Sequence, residues 1–128
     1  MSKQIAIIGG GNLGSAIAEG LLKSKFARAS QITVTKRNTA TLEALKEKGI
    51  IITNDNNKAV DESDVVILAV KPFQVADVLS GIKTQLTKNK VLISVVTGVL
   101  ISEMENIIQP GIPLFRAMPN TAISYSKV

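Results

Sequence analysis

Ile5-Ala6-Ile7-Ile8-Gly9-Gly10-Gly11-Asn12-Leu13-Gly14-Ser15-Ala16-Ile17 is the stretch on which the reading of this chain turns. Four apolar residues in a row suit a strand covered on both faces, as in a parallel sheet. Three glycines stop the run, and Leu13, Ala16, Ile17, Leu21 and Leu22 then recur at helical spacing. Gly9, Gly11 and Gly14 have the spacing G-x-G-x-x-G, which is weak alone but specific between a strand and a helix. In that setting Gly9 permits the tight turn, Gly11 lets the backbone approach a pyrophosphate, and Gly14 lets the helix lie close to the strand. Amides at the helix start, helped by its dipole, then face the phosphates. A glycine-rich turn without a ligand is the bland alternative.

Outward from this stretch, short apolar runs alternate with helical patterns. Residues 31–35, 50–53, 65–70, 91–96 and 112–116 read as further strands. Asn38 suits the cap of a helix carrying Leu42 and Leu45, with Gly49 as its stop. Residues 56–62 read as a loop with one helical turn. Pro72 opens a helix with an inner face of Val75, Val78, Leu79, Ile82 and Leu86. Ser102 and Glu105 have capping-box spacing before Ile107 and Ile108. Pro113 restricts the last strand to an edge. The expected fold is α/β: a doubly wound, Rossmann-type parallel sheet of six strands in the order 3-2-1-4-5-6, formed by residues 1–128 as one dinucleotide-binding domain. Right-handed crossovers place its ligand crevice at the carboxyl ends of the first and fourth strands.

The end of the second strand bears on which dinucleotide. An acid there grips the ribose 2′-hydroxyl of NAD, but this chain has Thr35-Lys36-Arg37-Asn38. Arg37 or Lys36 suits a 2′-phosphate. Two charge-assisted bonds at about 1.5–3 kcal/mol each would favour NADP(H) over NAD(H) by about 10² to 10⁴-fold. Both residues also fit an ordinary solvated loop. Ala69-Val70-Lys71-Pro72 and Thr97-Gly98 end the fourth and fifth strands on the same rim, although Lys71 equally fits an ordinary surface lysine.

Composition narrows the field. The 128 residues carry 15 Lys and Arg against 10 Asp and Glu, a formal charge of +5. The basic residues are scattered and only four aromatics are present (three Phe, one Tyr), which argues against nucleic acid. No apolar run approaches the roughly 18 residues that span a bilayer, and the start lacks a signal-peptide pattern. With no cysteine and no histidine, disulfides, thiol chemistry and the commonest general base and metal ligand are absent, and a cytoplasmic location is expected. No metal is expected.

Four segments resemble the amino-terminal domain of the pyrroline-5-carboxylate reductases across essentially the whole chain. They are residues 8–17, Ala69-Val70-Lys71-Pro72, residues 94–99 and Arg116-Ala117-Met118-Pro119-Asn120-Thr121. The resemblance implies reduction of the cyclic imine L-1-pyrroline-5-carboxylate to L-proline by NADP(H), with NAD(H) as the second cofactor. It implies that Ile8, Gly9, Gly11, Asn12, Leu13 and Gly14 hold the pyrophosphate, that Thr35, Lys36 and Arg37 lie near the 2′-phosphate, and that Asn56 contacts the adenosine. Ala69, Val70, Lys71, Pro72 and Thr97 would line the path to the nicotinamide, with Asn120 and Thr121 near the reacting centre. No catalytic acid or base is assigned, in keeping with an imine that is already electrophilic once protonated. Ala122 and Thr97 stand where the family usually has proline and alanine. The resemblance also implies a helical carboxyl-terminal domain beyond this chain, homo-oligomerisation through it, and little turnover by this part alone. Another NADP-dependent reductase or hydroxyacid dehydrogenase, or a non-catalytic NADP-binding module, remain the alternatives.

Overall fold

The computed structural model describes residues 3–117. Six parallel strands form one sheet in the order β3-β2-β1-β4-β5-β6. They are β1 (Ile5–Ile8), β2 (Ile32–Thr35), β3 (Ile51–Thr53), β4 (Val65–Leu68), β5 (Val91–Ser94) and β6 (Leu114–Arg116). This is the expected topology. The helices are α1 (Asn12–Lys23), α2 (Glu43–Glu47), α3 (Asn56–Asp61), α4 (Val75–Ile82) and α5 (Ile101–Glu105).

Successive residues of β1 feed two cores. Ile5 and Ile7 pack with Ala18, Leu42, Leu45, Ile32 and Val34 on the side of α1 and α2. Ala6 and Ile8 pack with Val60, Leu79, Leu92 and Met104 on the side of α3, α4 and α5. That division explains the uninterrupted apolar runs of the central strands, since both faces exclude water.

Several boundaries moved. The apolar runs 65–70 and 91–96 are strand only as far as Leu68 and Ser94. Ile8 pairs with Leu68, and beyond it the chain turns at Gly9, so the central ladder has no partner to continue. The single helical turn expected within the loop at 56–62 takes up most of it as the six-residue helix α3, because the Asp55 carboxylate accepts the Lys58 N–H at 3.1 Å and caps it. Asn38 does cap, but the turn it opens is a 3₁₀ segment, Thr39–Leu42, leading into α2. The expected capping box at Ser102 is displaced: Ser102 lies inside α5, and the Glu103 carboxylate accepts the Leu100 N–H at 2.8 Å. Pro113 precedes β6 and needs no donor there; its carbonyl accepts from Leu92 N at 2.9 Å. Lys90 escaped the pattern reading. It is buried, and its Nζ donates to the carbonyls of Asp61 and Ser63, closing the carboxyl end of α3.

Candidate functional site at the glycine turn

Everything expected of the rim depends on how β1 hands over to α1. Gly9 has φ +111°, and a Cβ there would lie 2.8 Å from the Ala69 carbonyl oxygen. Only glycine meets both demands. The N–H groups of Gly9 and Gly10 both donate to the Thr35 carbonyl, at 3.2 and 2.7 Å, binding the turn to the end of β2. Gly14 is buried, and a Cβ on it would sit 1.9 Å from the Gly9 oxygen. Its hydrogen is what lets the first turn of α1 rest on the turn before it.

The helix start is open. Gly11 is the N-cap, no side chain caps α1, and no acid stands in its first turn. The first bonded amide is Ser15 N, which donates to Gly11 O at 2.9 Å. The N–H groups of Asn12, Leu13 and Gly14 precede it and have no acceptor among the described residues. A Cβ on Gly11 would meet no atom within 4 Å. Donors point outward over a bare backbone, beside the β1–β4 crevice. This is the arrangement that receives a phosphate-bearing ligand.

The rim residues sort into three kinds. Ile8 is 1% exposed and its carbonyl accepts from Ala69 N at 2.9 Å, so it forms the floor of the turn. Thr35 is likewise 1% exposed; its side chain is withdrawn from the rim, and its carbonyl is what reaches the glycine turn. The two glycine amides draw the end of β2 under the turn, so Thr35 meets the rim through its backbone. Arg37 is exposed and free of ion pairs, the salt bridge found among the described residues being Lys48–Glu19 at 3.6 Å. Lys36 is half-buried with its N–H on Thr53 O at 3.2 Å, and the Asn38 side chain is committed to Ala40 N. Leu13, expected in the buried stripe of α1, is 40% exposed beside the open amides. Gly14 and Ala18 make the fully buried contact instead, with Ile17, Leu21 and Leu22 of the expected stripe packed beside them.

Along the rest of the rim, Asn56 is the first residue of α3 and lines a cavity of about 530 Å³ with Asn54, Asn57, Asp77 and Val78. A second cavity of about 390 Å³ lies beyond Pro72, between Val75, Ala76, Val99 and Ile107. Neither is lined by residues of the glycine turn. Ala69 and Val70 are half-buried after β4, Lys71 is exposed, and the Lys71 N–H donates to the Gln74 Oε1 at 3.0 Å, opening the turn at Pro72. Thr97 and Gly98, the latter at φ +82°, are exposed after β5. Arg116, noted in the sequence only as part of a motif, ends β6 with its Nε buried and without a hydrogen-bond partner among the described residues. Asn120 and Thr121 lie outside the described residues, as do Met118, Pro119 and Ala122.

A doubly wound sheet with a glycine turn and an uncapped helix at its switch point defines a Rossmann-type nucleotide-binding domain. Residues 4–98 match the family described as NADP oxidoreductase coenzyme F420-dependent, and the chain belongs to that family. It is 45% identical over 121 residues to pyrroline-5-carboxylate reductase 1 of Dictyostelium discoideum, a match covering 94% of this chain and 22% of the relative. The pyrroline-5-carboxylate reductase of Coxiella burnetii superposes with a TM-score of 0.88 at 35% identity, covering 97% of this chain and 46% of that one. A Plasmodium falciparum pyrroline carboxylate reductase with NADP bound superposes with a TM-score of 0.81 at 25% identity, covering 93% and 43%. The chain thus spans less than half the length of each of these relatives. No helix among the described residues is long and apolar enough to cross a membrane.

Proposed function

We propose that this chain is the NADP(H)-holding domain, residues 1–128, of a reductase that converts L-1-pyrroline-5-carboxylate to L-proline. The observation that carries the cofactor is the uncapped start of α1, where amides without acceptors surround the open Gly11. Gly11, Asn12, Leu13 and Gly14 hold the pyrophosphate through their backbone, over a floor made by Ile8 and Gly9. Arg37, with Lys36 beside it, meets the 2′-phosphate, and Asn56 meets the adenosine at the cavity it lines. Ala69, Val70, Lys71, Pro72 and Thr97 guide the nicotinamide end along the rim toward Asn120 and Thr121. NADPH supplies the hydride; the chain's work is to fix the donor in place, which is the larger part of catalysis for an electrophilic imine.

The names of the relatives support the imine substrate, and their greater length supports a further domain that completes the pocket and joins subunits. A cytoplasmic setting accords with the cysteine-free composition. Isothermal titration of the chain with NADPH and with NADH tests the cofactor reading. Tighter binding of NADPH supports it, and no binding of either nucleotide refutes it. The family description favours a second reading, another NADP-dependent reductase. Oxidation of NADPH by the protein with its carboxyl-terminal continuation, in the presence of pyrroline-5-carboxylate, separates the two.

A further inference from the structure

Gly10 is the glycine that the G-x-G-x-x-G pattern leaves unassigned. It is buried, and its φ lies outside the positive region that demands glycine. Space is its constraint. A Cβ on Gly10 would lie 2.9 and 3.1 Å from the two Cδ atoms of Leu42 and 3.0 Å from Val34 Cγ1. Leu42 is 2% exposed and closes the 3₁₀ turn Thr39–Leu42, which Asn38 caps through its side chain. That turn begins two residues after Arg37. The loop offered to a 2′-phosphate and the loop offered to a pyrophosphate are therefore seated on one another, through Leu42 on Gly10 and through Thr35 O on the amides of Gly9 and Gly10.

We propose that the Gly10–Leu42 contact sets the discrimination between NADPH and NADH, by fixing the position of the Arg37 loop relative to the glycine turn. The inference rests on the cofactor reading above. Its physical basis is that NADPH engages both loops at once, whereas NADH has no 2′-phosphate and depends on the glycine turn. A Cβ on Gly10 forces the Leu42 methyl groups to give by a few tenths of an ångström, and because Leu42 is enclosed, at 2% exposed, its turn moves with them. The spacing between the two anion sites then changes, while the open amides of α1 stay where they are. Gly10 and Leu42 act as positioning residues, since neither would touch the 2′-phosphate.

The test is the ratio of Kd for NADH to Kd for NADPH, measured by titration on the wild-type chain, on Gly10→Ala and on Gly10→Ala with Leu42→Ala. The single variant should lower the ratio about tenfold, the scale of one weakened charge-assisted contact, with NADH affinity changed less than about threefold. In the double variant the Leu42 methyl groups are gone and Val34 Cγ1 is the close contact that remains, so the ratio should rise back toward wild type, to within about threefold of it. An unchanged ratio in Gly10→Ala, or a lowered ratio that Leu42→Ala does not restore, overturns the proposal. Should Gly10→Ala alone fail to fold, Leu42→Ala alone decides: it removes the contact with Gly10 unchanged, so a lowered ratio supports the proposal and a wild-type ratio overturns it. A wild-type chain that binds neither nucleotide, or both equally, instead refutes the cofactor reading and takes the proposal with it.

Discussion

Replacing Gly14 with alanine isolates the packing that builds the glycine turn. A Cβ there would stand 1.9 Å from the Gly9 oxygen, where an ordinary carbon–oxygen contact is over 3 Å, so a gap of more than an ångström must open. The obstacle is backbone, held by Gly9 N and Gly10 N on Thr35 O and by Ala69 N on Ile8 O. Overpacking of this kind costs about 1–3 kcal/mol or more. Against it stands the usual gain of about 0.5–1 kcal/mol for alanine over glycine within a helix. The net expectation is a loss of about 1–2 kcal/mol, or about 3–10 °C in melting temperature for a chain of this size. Gly11→Ala is the control. Its Cβ meets nothing within 4 Å and its φ of −75° suits any residue, so only the weaker capping of alanine matters, at about 0.5–1 kcal/mol. Thermal unfolding by circular dichroism, paired with NADPH titration, should show Gly14→Ala losing stability and binding together. Gly11→Ala should stay folded and lose NADPH affinity, because its methyl group stands where the pyrophosphate approaches. Equal melting temperatures for the two variants would refute the packing argument, and full NADPH affinity in Gly11→Ala would refute the placement of the anion.

Arg37→Asp should weaken NADPH binding by about 10- to 150-fold, the worth of a charge-assisted hydrogen bond, and change NADH binding far less; equal losses in calorimetry would remove Arg37 from the 2′-phosphate. Asp55→Ala removes the side chain that accepts Lys58 N and should cost about 0.5–2 kcal/mol in urea unfolding, with amide exchange rising through α3. Lys25 follows α1 at φ +63°, a left-handed conformation that glycine adopts freely. Lys25→Gly should therefore raise stability by about 0.5–1 kcal/mol, and a lower melting point would show that the lysine stem contributes packing there.

Much of this architecture was legible in the sequence because it rests on local periodicity. Four-residue apolar runs separated by helical patterns require a parallel sheet wrapped on both faces, and the sixth strand does lie at an edge, although Pro113, which pointed there, stands just before it. The glycine spacing placed the turn, and Asn38 and Gly49 marked the ends of the segment containing α2. Errors fell where a tertiary partner outweighed the local signal. Residues 69–70 and 95–96 are apolar enough for strand, yet the central ladder stops where Gly9 turns away. Asp55 was passed over because a six-residue helix carries too little pattern to distinguish it from a loop. Leu13 and Ala16 fit a buried stripe, yet α1 lies so near β1 that Gly14 and Ala18 occupy the contact.

The amino-acid order alone determined that a strand, a glycine turn and a helix succeed one another, and that the alternation repeats into a six-stranded sheet. Tertiary structure decided which atoms meet. Gly9 lies against the carbonyl of Ala69, sixty residues later, and Gly10 beneath Leu42, while Thr35 is drawn inside and Arg37 left outside. The physical reason is that periodicity is set by neighbours along the chain. Contact distances between β1, β2 and β4 are set by register and by the closeness of α1, which exist only once the segments have packed.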